Sequence, residues 1–102
     1  MKKITINGVA FVPSPVTFNV LCAMEEAGAP MGTWGKLDMS ILRAYLAACL
    51  VCSAEEAGDM IGAHVMGGGK LDALREAFAS GLEESDFFAA LRNRTAANEN
   101  AE

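Results

Sequence analysis

Cys49 and Cys52 are separated by Leu50 and Val51, and the only histidine, His64, follows twelve positions after Cys52. Thiolates and imidazoles are zinc ligands, and a Cys-x2-Cys pair followed by a histidine is half of a zinc-finger spacing. The second half is missing. There is no other histidine, and Cys22 must arrive from a different segment to make even a fourth ligand. A redox reading needs the pair just after a strand and at a helix start, where the local dipole favours thiolate. Here the pair closes an apolar stretch, so free cysteines serving as small core residues explain it better. A cytoplasmic metal or thiol-redox module on Cys49, Cys52 and His64 is retained as a second alternative.

Gly67-Gly68-Gly69-Lys70 has the flavour of a phosphate loop, but that motif needs a preceding strand, wider glycine spacing and Ser or Thr after the lysine. Leu71 follows instead. His64 as a general base lacks a nucleophile or carboxylate at a telling spacing, so it reads as a satisfied histidine at the core edge. The acidic pairs Glu25-Glu26, Glu55-Glu56 and Glu83-Glu84 each sit near a helix terminus, where solvation and the helix dipole account for them. The expectation is a non-enzyme with no catalytic set, no cofactor and no metal.

The elements that hold these residues are helical. From Ala44 to Cys52, nine residues carry no charge and no strongly polar group. The stretch Asp38–Cys52 has two apolar stripes: Leu42, Tyr45, Leu46 and Cys49 on one side, Ala44, Ala47, Ala48 and Val51 on another. At about 1.5 Å per residue it is roughly 22 Å long, too short for a hydrocarbon core of about 30 Å, so it is a buried helix and no membrane partner is expected. The first stripe is assigned to the core. The alanine side is a candidate face for helix packing or self-association.

Around this helix the spacing predicts a mainly α fold, a small domain of about five helices with an N-terminal β-hairpin. The hairpin spans 2–12 around Asn7-Gly8, the dipeptide suited to a type I′ turn, with Ile4, Ile6, Val9 and Phe11 on one face. Helices are expected at about 17–27, 39–52, 54–66, 70–80 and 86–94. Thr17 caps the first, whose side is Phe18, Leu21 and Cys22, and Gly28 stops it. The loop 29–37 carries Trp34, read first as a plug at the edge of the core, with an interface anchor as the alternative. Ser53 and Glu56 form a capping box for the third helix, with Ala57, Met60, Ile61, His64 and Val65 as its stripe and Gly67 as its stop. Gly58 and Gly62 weaken that helix but admit a close neighbour. A flexible Gly67–Gly69 connector leads to a helix of Leu71, Leu74 and Phe78 ending near Gly81. Ser85 caps the last, which buries Phe87, Phe88 and Leu91. Residues 1–92 form a single domain, and 93–102 read as a frayed C-terminal tail.

Composition limits the partners. The 102 residues are 52% hydrophobic with net charge −5 and mean hydropathy +0.25. One core of this size struggles to hide so much apolar surface, which points to a partner surface. Only eight lysines and arginines are spread along the chain, against the clustered cations that phosphate backbones demand, so no nucleic acid is expected. MKKITING is not followed by an apolar run, so no signal peptide is expected; with unpaired cysteines this suggests the cytoplasm. Five methionines beyond the first supply thioethers suited to irregular apolar partners. Met31, Trp34, Met66, Phe87 and Phe88, in loops or short outer helices, are the candidate partner contacts.

The order of pieces, ITINGVAFVPSP, then TFNVLCAMEEAG, a polar loop, SILRAYLAACLVCSAEEAGDMIGAHV and ESDFFAALR, resembles the small tail assembly chaperones of long-tailed bacteriophages and prophages over roughly residues 1–92. That resemblance implies a protein of the bacterial host cytoplasm that forms homo-oligomers, binds the tape measure protein before tail tube assembly, and is absent from the mature virion. A longer form made by frameshifting is also a family habit. The first alternative is a structural tail or head-tail connector component of the virion.

Overall fold

The computed structural model describes the backbone of residues 2–36 and 38–101, with side chains described as far as residue 93. Its elements are β1 (Ile4–Ile6), β2 (Val9–Phe11), α1 (Phe18–Glu26), α2 (Met39–Leu50), α3 (Ala54–Met66), α4 (Asp72–Glu83) and α5 (Asp86–Ala101). The fold is mainly helical, with an antiparallel two-stranded hairpin at the N-terminus. Asn7 and Gly8 both have positive φ, 50° and 80°, as a type I′ turn requires. The register follows: Ile4 opposite Phe11, Thr5 opposite Ala10, Ile6 opposite Val9. Of the expected apolar face, Ile6 is buried and Ile4 and Phe11 pack at the core edge, whereas Val9 is exposed.

Helix α2 is the centre, packed by α1, α3 and α4. It buries Leu42, Tyr45 and Leu46 as the stripe predicts, and also Ile41, Ala44 and Ala47. Ala44 and Ala47 are therefore covered within one chain. Of the expected helix-packing or self-association face, Ala48 is half-buried and Val51 exposed. In α1 the buried residues are Leu21 and Met24, with Phe18 largely exposed; the helix is rotated from the expected Phe18, Leu21, Cys22 side.

Three helices end in the same hydrogen-bonded cap. After α1, Gly28 (φ 97°) lets the Ala29 amide reach Met24 O at 2.9 Å. After α3, Gly68 (φ 94°) lets the Gly69 amide reach His64 O at 2.8 Å, so the glycine triplet is a closed cap and the left-handed residue is one later than Gly67. After α2 the Cys52 amide reaches Ala47 O at 3.0 Å, but the left-handed residue is Val51, with φ and ψ both 54°. Helices close this way because their last carbonyls need donors. A β-branched residue in that conformation is strained. The expected end at 52 thus moves to Leu50, since Ser53 must leave helical geometry to cap α3. Its hydroxyl accepts the Glu56 amide at 3.1 Å and donates to Glu56 Oε1 at 3.1 Å, a variant of the expected capping box.

Residues 13–17 form an extended strap across the C-terminal end of α4. Ser14 O accepts the Tyr45 hydroxyl at 2.6 Å, Val16 N donates to Gly81 O at 2.9 Å, and Val16 O accepts the Ser85 hydroxyl at 2.6 Å. Buried main-chain groups need such partners. The strap explains Gly81, which lies inside α4 and does not end it. A Cβ there would stand 2.9 Å from Ser14 O and 3.0 Å from the Tyr45 hydroxyl. Ser85, buried itself, also accepts the Phe88 amide at 3.2 Å as the cap of α5.

Six of the seven aromatic side chains form one continuous path: Phe18, Phe87, Phe88, Trp34, Phe78 and Tyr45, with successive ring centroids 5.2–5.8 Å apart. Tilted and edge-on pairs at this spacing add about 0.5–1.5 kcal/mol each beyond area burial. The path joins α1, α5, the 29–36 loop, α4 and α2. Helix α5 continues past the expected end at 94, over the stretch predicted to fray, as far as Ala101. That stretch lacks an apolar stripe, but its alanines, arginine and glutamate are compatible with helix by intrinsic propensity. Met1, together with Leu37 of the expected loop and Glu102 of the expected tail, lies outside the described residues.

Candidate interaction surface

The chemistry-bearing residues are held apart. Cys22, Cys49 and Cys52 are free and half-buried. Burial pushes the Cys49 thiol up from its ordinary range, although Ser14 and Tyr45 hydrogen-bond it. Burial, and then the charge of Glu56, push Cys52 up as well. Both shifts disfavour thiolate, the form that attacks disulfides and binds metals. His64 is engaged elsewhere: Nδ1 accepts the Asn7 amide at 2.9 Å, and Nε2 lies 3.2 Å from Lys70 O. It is a satisfied histidine at the core edge. Among the described residues no three of His, Cys, Asp and Glu are grouped for a metal ion, so Cys49, Cys52 and His64 do not assemble into one site.

The candidate contacts divide. Met31 and Met66 are exposed, Met66 at 85%. Phe87 and Phe88 lie on the buried side of α5 as the spacing predicts, and Trp34 packs at the core edge, so none of the three is exposed in the way a free contact would be. Trp34 donates its indole N–H to Ala29 O at 3.0 Å and meets Phe78 edge-on. Phe88 is 9% exposed, and Phe87 lies half-buried between it and Phe18. Aromatic side chains near the chain's outer segments were needed to seal a small core. Phe18, placed inside by the sequence pattern, is instead 56% exposed on top of Phe87.

The alanine face leads to a groove. Between α1 and the C-terminal end of α2 lies an open depression of about 610 Å³, lined by Asn19, Val20, Ala23 and Glu26 of α1 and its cap Ala27, by Ala47, Ala48 and Val51 at the end of α2, and by Cys52, Ser53 and Ala54 leading into α3. Val51 stands at its lip with 91% of its surface exposed. Its strained backbone, shaped by the cap of α2 and the start of α3, holds an isopropyl group in solvent. Small residues on both walls let a partner backbone approach closely. The sequence marked Ala48 and Val51, but the α1 wall was missed because Val20, Ala23 and Ala27 fall outside the stripe assigned to that helix.

A second, smaller cleft of about 240 Å³ is lined by Met39, Ser40, Arg43, Gly58, Ile61 and Gly62. Gly58 makes room for the Arg43 stem, whose Cδ would lie 3.2 Å from an added Cβ, while Gly62 has nothing within 4 Å. The close neighbour admitted by Gly58 is thus a side chain of the same chain, whereas none meets Gly62.

No protein-family model, curated protein or solved structure matches this chain. Among the described residues no helix is long and apolar enough to cross a membrane.

Proposed function

We propose that this chain is a non-enzymatic tail assembly chaperone of a long-tailed bacteriophage or prophage, which associates with its own copies and with the tape measure protein before the tail tube is built. The reading rests on the resemblance in the order of pieces. The observation that carries it is the apolar groove between α1 and α2, with Val51 held outward at its lip. A tape measure chain is long and rich in amphipathic helix, and its apolar stripes aggregate unless covered. A groove floored by alanines receives such a stripe as a helix in a trough. Exposed Met31 and Met66 add adaptable contacts outside the groove, and a net charge of −5 keeps the assembly dispersed. The protein works in the bacterial host cytoplasm, contacts neither membrane nor nucleic acid, and leaves before the virion is complete.

Co-expression with the long helical reading frame of the same gene cluster tests this. The chaperone should co-purify with that protein and raise its soluble fraction, and Val51→Asp, at an exposed position, should weaken both effects. A chain that is strictly monomeric, does not co-purify and leaves the partner's solubility unchanged refutes the proposal. Finding the protein in purified particles would favour a structural tail or connector role instead.

A further inference from the structure

The only histidine joins two segments far apart in sequence. His64 sits in the last turn of α3, and its Nδ1 accepts the main-chain amide of Asn7 at the tip of the hairpin. In a two-residue turn that amide has no partner in the strand ladder, so the imidazole supplies the one it lacks. The opposite ring nitrogen, Nε2, lies 3.2 Å from Lys70 O. A carbonyl only accepts and an amide only donates. The two contacts are satisfied together in a single protonation state, the neutral imidazole with its hydrogen on Nε2. Gly69 keeps the ring in place: its own amide bonds His64 O at 2.8 Å, and a Cβ on it would collide with Nε2, Cδ2 and Cε1.

We propose that His64 is a pH-sensitive latch, closed when neutral by the Asn7–His64–Lys70 chain and released when the imidazole takes a second proton. An imidazolium carries hydrogen on both nitrogens, so Nδ1–H would face the Asn7 N–H and that bond is lost. The charged groups on the surrounding elements are Lys2 and Lys3 ahead of β1, Lys70 in the connector, Arg43 on α2 with Asp38 before its start, Asp72, Arg75, Glu76 and Glu83 on α4, and Glu55, Glu56 and Asp59 on α3 itself. The ion pair among the described residues is Arg75 with Asp38, so no described carboxylate is paired with the ring. Release is local. Ile6 stays buried and the strap keeps its bonds to Tyr45, Gly81 and Ser85, so the hairpin tip loosens from α3 while the core persists.

The test is NMR on the full chain. At pH 7.5 the ring nitrogen shifts should report Nε2–H with Nδ1 unprotonated. The protection factor of the Asn7 amide should fall about fivefold between pH 7.5 and 5, the size expected for one net hydrogen bond. His64→Phe should lack that protection at both pH values. His64→Asn, whose side-chain oxygen accepts without titrating in this range, should retain protection at pH 5. An Nδ1–H tautomer at pH 7.5, or an Asn7 protection factor equal in wild type and His64→Phe, overturns the latch.

Discussion

Val51→Gly should stabilise this protein, although it removes an apolar side chain. Val51 occupies the left-handed position that Gly28 and Gly68 occupy in the caps of α1 and α3. For an L-residue that conformation costs roughly 1–2 kcal/mol, with β-branched side chains worst placed to adopt it. Glycine removes that cost but enlarges the conformational freedom of the unfolded chain, which costs about 0.4–1 kcal/mol. Losing the side chain costs only about 0.2 kcal/mol, a tenth of the value for a fully buried valine, because 91% of its surface is already in water. The balance is about 0.6 kcal/mol in favour of glycine, or roughly a 3 °C rise in Tm for a domain of this size. Urea unfolding followed by helical circular dichroism measures it, as a higher midpoint with an unchanged slope. Val51→Ala, which keeps the Cβ and so relieves only the part due to β-branching, should shift stability less. A Val51→Gly protein less stable than wild type by 0.5 kcal/mol or more would refute the strain argument. The same substitution separates stability from the proposed role: the glycine protein should be more stable yet hold the tape measure protein less well, since the lip of the groove is gone.

The remaining predictions also come from particular contacts. Gly81→Ala should cost about 2–3 kcal/mol, because the new methyl meets the Ser14 carbonyl and the Tyr45 hydroxyl within an already packed crossing. Gly62→Ala, with nothing within 4 Å of the new carbon, should gain up to about 1 kcal/mol of helix propensity; opposite signs in thermal melts are the check, and a neutral Gly81→Ala would discount the strap. Tyr45→Phe should cost about 1–2 kcal/mol by stranding Ser14 O. Burial foremost, then the neighbouring Cys49, pushes the Tyr45 phenol far above its ordinary range near 10. The folded state keeps a proton that the unfolded chain sheds, so this contribution is complete below pH 10 and is lost as pH rises beyond it. Tyr45→Phe should therefore lose less stability than wild type between pH 9 and 11, and parallel losses would refute the assignment. On the acid side the Arg75 hydrogen bond holds the Asp38 carboxyl below 3.8, giving support that is present above that pH and fades as pH falls below it. Asp38→Asn should flatten this part of the acid-side loss, read as a smaller drop in Tm between pH 5 and 3, with the size limited because both partners are exposed.

Local chemistry made much of this protein legible from its sequence. Asn7-Gly8 determined the turn and, through it, the pairing of Ile4 with Phe11, since a two-residue loop admits one register. Thr17, Ser53 and Ser85 start helices because their hydroxyls reach amides three residues ahead, and Gly28 stops one because it alone accepts the left-handed angle cheaply. The Leu42, Tyr45, Leu46 stripe identified the inner side of α2 because helical periodicity is a property of neighbours in sequence. What only the tertiary structure decided depends on distant segments meeting. Gly81 looks like a helix stop until the strap crosses it, and Val51 carries no stop signal, its angle being imposed by the turn into α3. The burial of Phe87 and Phe88 was legible in the spacing of α5, but the path they close with Phe18, Trp34, Phe78 and Tyr45 exists only once those segments meet. His64 belongs to the same class: its type and its place on α3 were plain in the sequence, but its partner is an amide 57 residues away, and no spacing rule encodes a contact made only when a hairpin tip and a helix end arrive at the same point.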